Sequence, residues 1–524
     1  YTGFYGLFLL TFISLISSLF VPHDFTHNTL LHLFGFLLFI ILKAENKKEY
    51  LKIIFLISLF TISALLISKT HDDFSYYHLP FTIYLTEQKV IFGMGQLLHG
   101  YKFLSSLFFL NSTFYLPFIE YFSFHFTLLF FLIFFNFFLL KEIFSKNIHE
   151  VTKFLYLFAF AFFNLSFNRI AEYGTDKAGQ LLIVILIIKI FQFTCFNKNK
   201  MEFNNILYLI PLLGFCISLK TYFLPYVLIG LTLVLLNIKF IKMLKVICYS
   251  RSFFILLISL SIYFFHHFIS TGCIISPISI TCFGDNLNWA YSSASYERLS
   301  TFLEQWAKAG ARVDFKVNDP LTYIQNFNWV STWLDHYFYG KVTDQLLILT
   351  STFLATLLLF KNLKLKKKFF ILNKKILFFY SIILVIFFIW FTEHPTLRYG
   401  GYCIVFLTLS IPLSLIYQKL ENKDFFKKRL KFLVVLVLVI FNFKNFNRIN
   451  DELVRTDYYK FDNFPFFAIP EKEYFTETTP SGLTIYKTNG HCWSTPSPCT
   501  QSVGKFYFEI EKKNGYYFFI DDQN

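Results

Sequence analysis

The segment 71–81, HDDFSYYHLPF, sets Asp72 and Asp73 side by side and follows them with Tyr76, Tyr77 and His78. A carboxylate placed against a hydroxyl can take its proton, and two adjacent carboxylates can also hold a divalent cation. The plainer reading of such an Asp is a helix cap. A pair followed by a His goes beyond what a cap needs, so Asp73 is the candidate base and Asp72 its neighbour or a partner for a metal or an acceptor hydroxyl. Three further polar clusters interrupt apolar sequence: NRIAEYGTDKAG at 168–179, which brings Glu172 and Asp176 beside Arg169 and Lys177; Lys220 in ISLKTYFLP; and FTEHPTLRYGGY at 391–402, with Glu393, His394 and Arg398. Gathered at one surface, such cations hold a phosphate while a carboxylate abstracts a proton. For Lys220 and Arg398 the bland alternative is snorkelling to lipid headgroups.

The elements that must position these residues are membrane spans. Of 524 residues 55% are hydrophobic, 22% aromatic and only 15% charged, with 76 Phe; this exceeds what a globular core can bury and excludes a soluble enzyme. The Phe, Ile, Lys and Asn excess fits an AT-rich genome and weakens arguments from aromatic content alone. Apolar runs predict thirteen spans, at 3–21, 29–43, 51–68, 117–140, 154–167, 180–196, 205–219, 221–237, 252–270, 344–360, 376–391, 399–417 and 430–443. The connections 43–52, 141–153, 197–204, 238–251, 361–375 and 418–431 carry 26 Lys or Arg, against 11 in the longer set 69–116, 168–179, 271–343 and 392–398. The positive-inside rule makes the first set cytoplasmic, with the N-terminus inside and the C-terminus outside. The formal charge of +15 is thus a matter of topology, and no nucleic-acid partner is implied. The chain opens on Tyr1 rather than Met, which predicts a start lying upstream.

The expected fold is an all-α polytopic membrane protein. Its domains are a transmembrane unit at 1–443 and a small β-rich extracytoplasmic unit at 444–524; 69–116 is a first outer loop with amphipathic stretches along the membrane surface, and 271–343 a large outer loop. In the tail, Asn514-Gly515 between alternating apolar residues signals a hairpin. Cys273 with Cys282 and Cys492 with Cys499 bracket short loops on the oxidising side and read as disulfides. The rival, one zinc site, needs two distant loops to meet. Trp289, Trp306, Trp329 and Trp333 serve as interfacial anchors or as platforms for sugar rings, beside an amphipathic helix in ASYERLSTFLEQWAKAG. No phosphate-binding glycine loop or hydrolase elbow is present.

With its acidic residues directly after a span and helices following, HDDFSYYHLPF resembles the first outer loop of the GT-C superfamily of integral-membrane glycosyltransferases. The pattern D-x-x-x-Y-H-L-P falls on Asp73, Tyr77, His78, Leu79 and Pro80, and EYGTD, the GC…TCF loop at 272–283 and CW…PCT at 492–500 are similar to other bacterial membrane proteins of that kind. The resemblance implies a bacterial cytoplasmic-membrane enzyme that moves a sugar from a polyprenyl-phosphate donor to an extracytoplasmic acceptor, with Asp73 as base. Tyr77, His78, Glu172 and Asp176 would then serve the acceptor, and Arg398, Lys220 and His394 the donor phosphate. No cofactor is required, and a Mg or Mn ion at Asp72 and Asp73 stays open. The chain departs from the family in having two or more spans ahead of the acidic loop. An O-antigen polymerase or ligase, relying on outer Arg and His, is the alternative, and a transporter the third.

Overall fold

The computed structural model describes residues 1–41, 47–67, 71–167, 170, 174–196, 206–236, 240–276, 278–312, 314–360, 373–419, 424–455, 469–501 and 508–521. The chain is mostly helical, with a small β region near its C-terminus. Each of the thirteen apolar runs falls on a helix. Among the described residues, seven stretches are long and apolar enough to cross a membrane: Tyr121–Ile143, Thr175–Phe196, Arg251–Thr271, Val330–Phe360, Lys374–Glu393, Leu397–Gln418 and Lys427–Val454. Thr2–Ser17, Phe25–Ile41, Ile210–Leu219 and Thr221–Leu235 are apolar but shorter.

Burial divides these helices into an inner and an outer set. Glu150–Ser166 and Thr175–Phe196 are enclosed on nearly every side, as uniformly apolar helices must be when protein rather than lipid surrounds them. Around them, Phe25–Ile41 and Arg251–Thr271 turn rows of Leu, Ile and Phe outward, among them Leu33, Phe36, Ile40, Phe254 and Ile258. Inside, several polar groups are paired: the Asn136 and Asn164 amides exchange hydrogen bonds of 2.9 and 2.7 Å, and Lys189 meets Glu142 at 3.2 Å. Such pairing is what makes burial of an amide or a charge tolerable.

The first outer loop is not laid on a lipid surface. In Leu79–Glu87 every residue but the last is buried: the helix packs on Ser106–Ser112, and the C-terminal segment reaches both its ends through Ser497. The strand β1 (Tyr474–Thr478) pairs antiparallel with β2 (Thr484–Thr488), and β2 pairs parallel with the short β3 (Cys499–Thr500). β4 (Phe508–Lys513) and β5 (Tyr516–Asp521) form the expected hairpin, with Asn514 and Gly515 both at positive φ, the conformation its two-residue turn demands. Phe92 N–H donates to Tyr517 O at 2.9 Å and Phe519 N–H donates back to Phe92 O at 3.0 Å. Trp493 N–H donates to Ser75 O at 3.0 Å, Ser497 N–H to Glu87 Oε2 at 2.7 Å, and Thr500 Oγ1 to Leu97 O at 3.0 Å. The expected appendage is therefore a cover on the first loop. The boundary set at 443 also falls inside one continuous helix, Asp424–Arg455, since the polar residues after 443 extend that helix instead of ending it.

Cys273 is joined to Cys282 and Cys492 to Cys499, while Cys195, Cys216, Cys248 and Cys403 are free thiols. Of the four Trp of the large loop, Trp289, Trp329 and Trp333 are buried within protein, so they anchor helices to each other rather than to lipid. Intact-mass analysis after denaturation and maleimide labelling is expected to find four labels without reduction and eight with it. Eight labels on unreduced, oxidatively prepared protein would remove both disulfides.

Candidate active site

Asp73 opens a turn at the head of the first loop, followed by a π-helical stretch, Phe74–His78. Such wide turns are uncommon and recur at functional sites. Arg398 sits in a second irregular stretch, where Tyr399 (φ −90°, ψ 50°) and Gly400 (φ 81°) break the helical path. The break is held from several sides. Gln180 Nε2 donates to Leu397 O at 3.1 Å and its Oε1 accepts from Cys403 N–H at 3.0 Å. Tyr337 accepts from Leu397 N–H at 2.8 Å, Trp390 donates to Thr396 O at 2.9 Å, and Tyr226 donates to Gly400 O at 2.7 Å. Gly400 supplies the positive φ that a side chain resists. At Gly401 a Cβ would lie 2.7 Å from the Trp390 ring. The pair of glycines in LRYGGY is therefore what lets this turn carry Arg398 inward.

Four charges then meet in alternating order. Arg398 Nη2 lies 2.5 Å from Asp73 Oδ2, and Arg398 Nε lies 3.1 Å from Asp176 Oδ2. The other Asp176 oxygen contacts Lys220 Nζ. Asp176 stands in the first turn of Thr175–Phe196, where the helix dipole also favours an anion. Lys220 caps the end of Ile210–Leu219 in extended backbone, and the first loop fastens that end, with Ser105 Oγ donating to Leu219 O at 2.7 Å. Burial acts to raise the Asp73 pKa, but Arg398, helped by His78 and His71, outweighs it and holds the carboxyl well below the usual carboxylate range.

These residues border a cavity of about 470 Å³, within the span typical of small-ligand sites. Asp72, Asp73, Tyr77, Lys220 and Arg398 line it, together with His71, Tyr76, Lys102, Trp306 and Tyr399. One end has an aromatic wall: Tyr222 stacks on Tyr399 with centroids 4.0 Å apart, and the Arg398 guanidinium lies 5.7 Å from the Trp306 ring. Asp176 stands behind Arg398 and Lys220, in contact with both.

The remaining expected residues lie elsewhere. His78 is buried beside Phe108 and Tyr77, with ring centroids 5.3 and 4.4 Å away. His394 packs on Tyr222 at 5.0 Å, outside the cavity lining, and burial, with Lys308 nearby, lowers its pKa to about 4. Glu172 falls outside the described residues. Among those residues no three His, Cys, Asp or Glu side chains group as metal ligands. Sequence reasoning passed over Lys102, His71 and Tyr399. Of these, Tyr399 had a signal, its place beside Arg398 before two glycines.

Residues 1–405 match a protein family described as a domain of unknown function (DUF8201), and since this is most of the chain, it belongs to that family. No curated protein and no solved structure matches it.

Because the folded pKa of Asp73 lies below its unfolded value, the ion pair stabilises the fold above the unfolded carboxyl's pKa of about 3.9 and the contribution is lost as pH falls towards the folded value. Thermal melts of the detergent-solubilised chain are expected to show a drop in Tm below about pH 4 that is smaller in Asp73→Asn. Equal acid sensitivity in the two proteins would separate Asp73 from Arg398.

Proposed function

We propose that this DUF8201 protein is a membrane glycosyltransferase that moves a sugar from a polyprenyl-phosphate donor to a hydroxyl of an extracytoplasmic glycan, lipid or protein, with Asp73 as the base. In this reading the chain crosses a bacterial cytoplasmic membrane thirteen times, N-terminus inside, and the cavity opens at the outer leaflet. The observation that carries it is the convergence of Asp73 and Arg398, 325 residues apart in sequence, in one cavity with an aromatic wall.

The chemistry follows from the donor. A phosphate-linked sugar carries its own leaving group, so the enzyme has to accept a proton from the incoming hydroxyl, steady the departing phosphate and shelter the lipid tail. Both the Arg398 and the His71 contacts of Asp73 use Oδ2, and Oδ1 is the oxygen offered to the acceptor hydroxyl. The ion pair keeps Asp73 ionised but makes it a weak base. Proton transfer therefore comes late, once the bond to the phosphate has loosened and the attacking oxygen has grown acidic. Trp306 and Tyr399 suit the apolar face of a sugar ring. Direct displacement of this kind inverts the anomeric centre. Arg398 and Lys220 are held by Asp73 and Asp176, so their first duty here is to position and ionise the carboxylate.

The test is turnover of labelled polyprenyl-phosphate hexoses by the chain in proteoliposomes. Asp73→Asn is expected to cut the rate by about 10²–10³-fold while the donor still binds. An unchanged product profile in that variant sinks the assignment in favour of a polymerase or ligase of the O-antigen type. Exchange of labelled sugar across the bilayer without any new glycosidic bond would make the protein a transporter.

A further inference from the structure

We propose that Lys102 forms an oxyanion subsite in this cavity, where the phosphate of a phosphorylated ligand docks, at a place separate from Arg398 and Lys220. The ground is the charge balance of the cavity wall. Of the cations that line it, Arg398 is bound by Asp73 and Asp176, and Lys220 by Asp176. A phosphate arriving at either would have to break a partly buried ion pair and leave a carboxylate stranded. Lys102 has no carboxylate partner among the described residues. Its Nζ lies 3.8 Å from the centroid of the Tyr291 ring, and Tyr291 is fixed in turn by a 2.9 Å hydrogen bond from its hydroxyl to Gly95 O. A ring face steadies an ammonium without neutralising it. The Lys102 stem runs beside Gly95, where a Cβ would lie 3.4 Å from Lys102 Cγ and 3.0 Å from Ser270 O.

A second observation concerns two polar residues that line the same cavity. His267 and Ser276 are almost fully buried, and among the described residues His267 Nδ1 and Ser276 Oγ have no hydrogen-bond partner. Buried polar atoms are seldom left so, unless something else completes them. Ser276 belongs to the loop closed by the disulfide between Cys273 and Cys282, so a covalent link holds this stretch of the cavity border. Burial also draws the Lys102 pKa down to about 8, a cost that an arriving anion would repay. No bond is made or broken at this subsite; it binds and orients. That the phosphate is carried by a lipid rests on the glycosyltransferase reading, whereas the subsite itself does not.

The test follows the melting temperature of the full chain in nanodiscs titrated with a polyprenyl monophosphate, the matching polyprenol, or inorganic phosphate. The wild type is expected to favour polyprenyl phosphate over polyprenol by about tenfold or more. Lys102→Gln should lose most of that preference, Ser276→Ala part of it, and Lys102→Arg should keep it. A folded Lys102→Gln protein with the preference intact overturns the subsite, as does a wild type that favours neither phosphate. If Lys102→Gln fails to fold, retention in Lys102→Arg with a several-fold loss in Ser276→Ala supports it, and no loss in Ser276→Ala counts against it. Inorganic phosphate that binds as tightly as the lipid, and still needs Lys102, supports the subsite while removing the lipid donor of the proposed function.

Discussion

The run of alternating charge from Asp73 through Arg398 and Asp176 to Lys220 is the constraint around which this structure is arranged. Each member comes from a different part of the chain: the first loop, the turn before the helix at Tyr402–Leu415, the start of Thr175–Phe196 and the end of Ile210–Leu219. A single one of these charges buried beside apolar helices would cost several kcal/mol, and removing one partner of such a pair typically costs about 3–5 kcal/mol. Together they share the burden, and four helix ends are obliged to meet. The network therefore acts as a register mark: helices that slide by one turn leave a charge without its partner.

The backbone around the network is irregular where it has to be. The backbone leaves the helical path at Tyr399 and Gly400, directly after Arg398. Holding that departure takes side chains from Gln180, Tyr226, Tyr337 and Trp390. An arginine held this way spends little conformational entropy when it engages a ligand or a carboxylate, and pre-organised charge is what stabilises charge in a reaction. Lys102, on the same cavity, is steadied by other means, with its ammonium over the Tyr291 ring.

How much of this is legible in the sequence depends on range. Helices at all thirteen apolar runs, the Asn-Gly hairpin and both cysteine pairs are local patterns, and each survives into the structure. That polar residues at the ends of apolar runs gather together is also legible, because isolated charges there are costly. Which charge meets which is not. Nothing within a few residues of Asp73 indicates Arg398, and the expectation that Arg398 and Lys220 stand ready for phosphate missed that carboxylates occupy them first. Lys102 was overlooked for the converse reason. It sits in HGYKF, in the middle of a mixed segment, and only the folded arrangement shows that it has no carboxylate partner among the described residues. Part of the cover on Leu79–Glu87 was hidden too, since Ser497, which touches both its ends, lies some four hundred positions later.

That covering has a consequence for how the molecule comes into being. Phe92 is paired with Tyr517 and Phe519, so the segment that bears Asp73 cannot reach its final packing until residues beyond 500 have been synthesised. During translation the early loop waits, partly unpacked, for its late partner. Contacts of such sequence separation are slow to form and leave apolar surface uncovered meanwhile. The order of synthesis thus sets the order of assembly: the first loop is made early, and its packing is completed only when the last strand arrives.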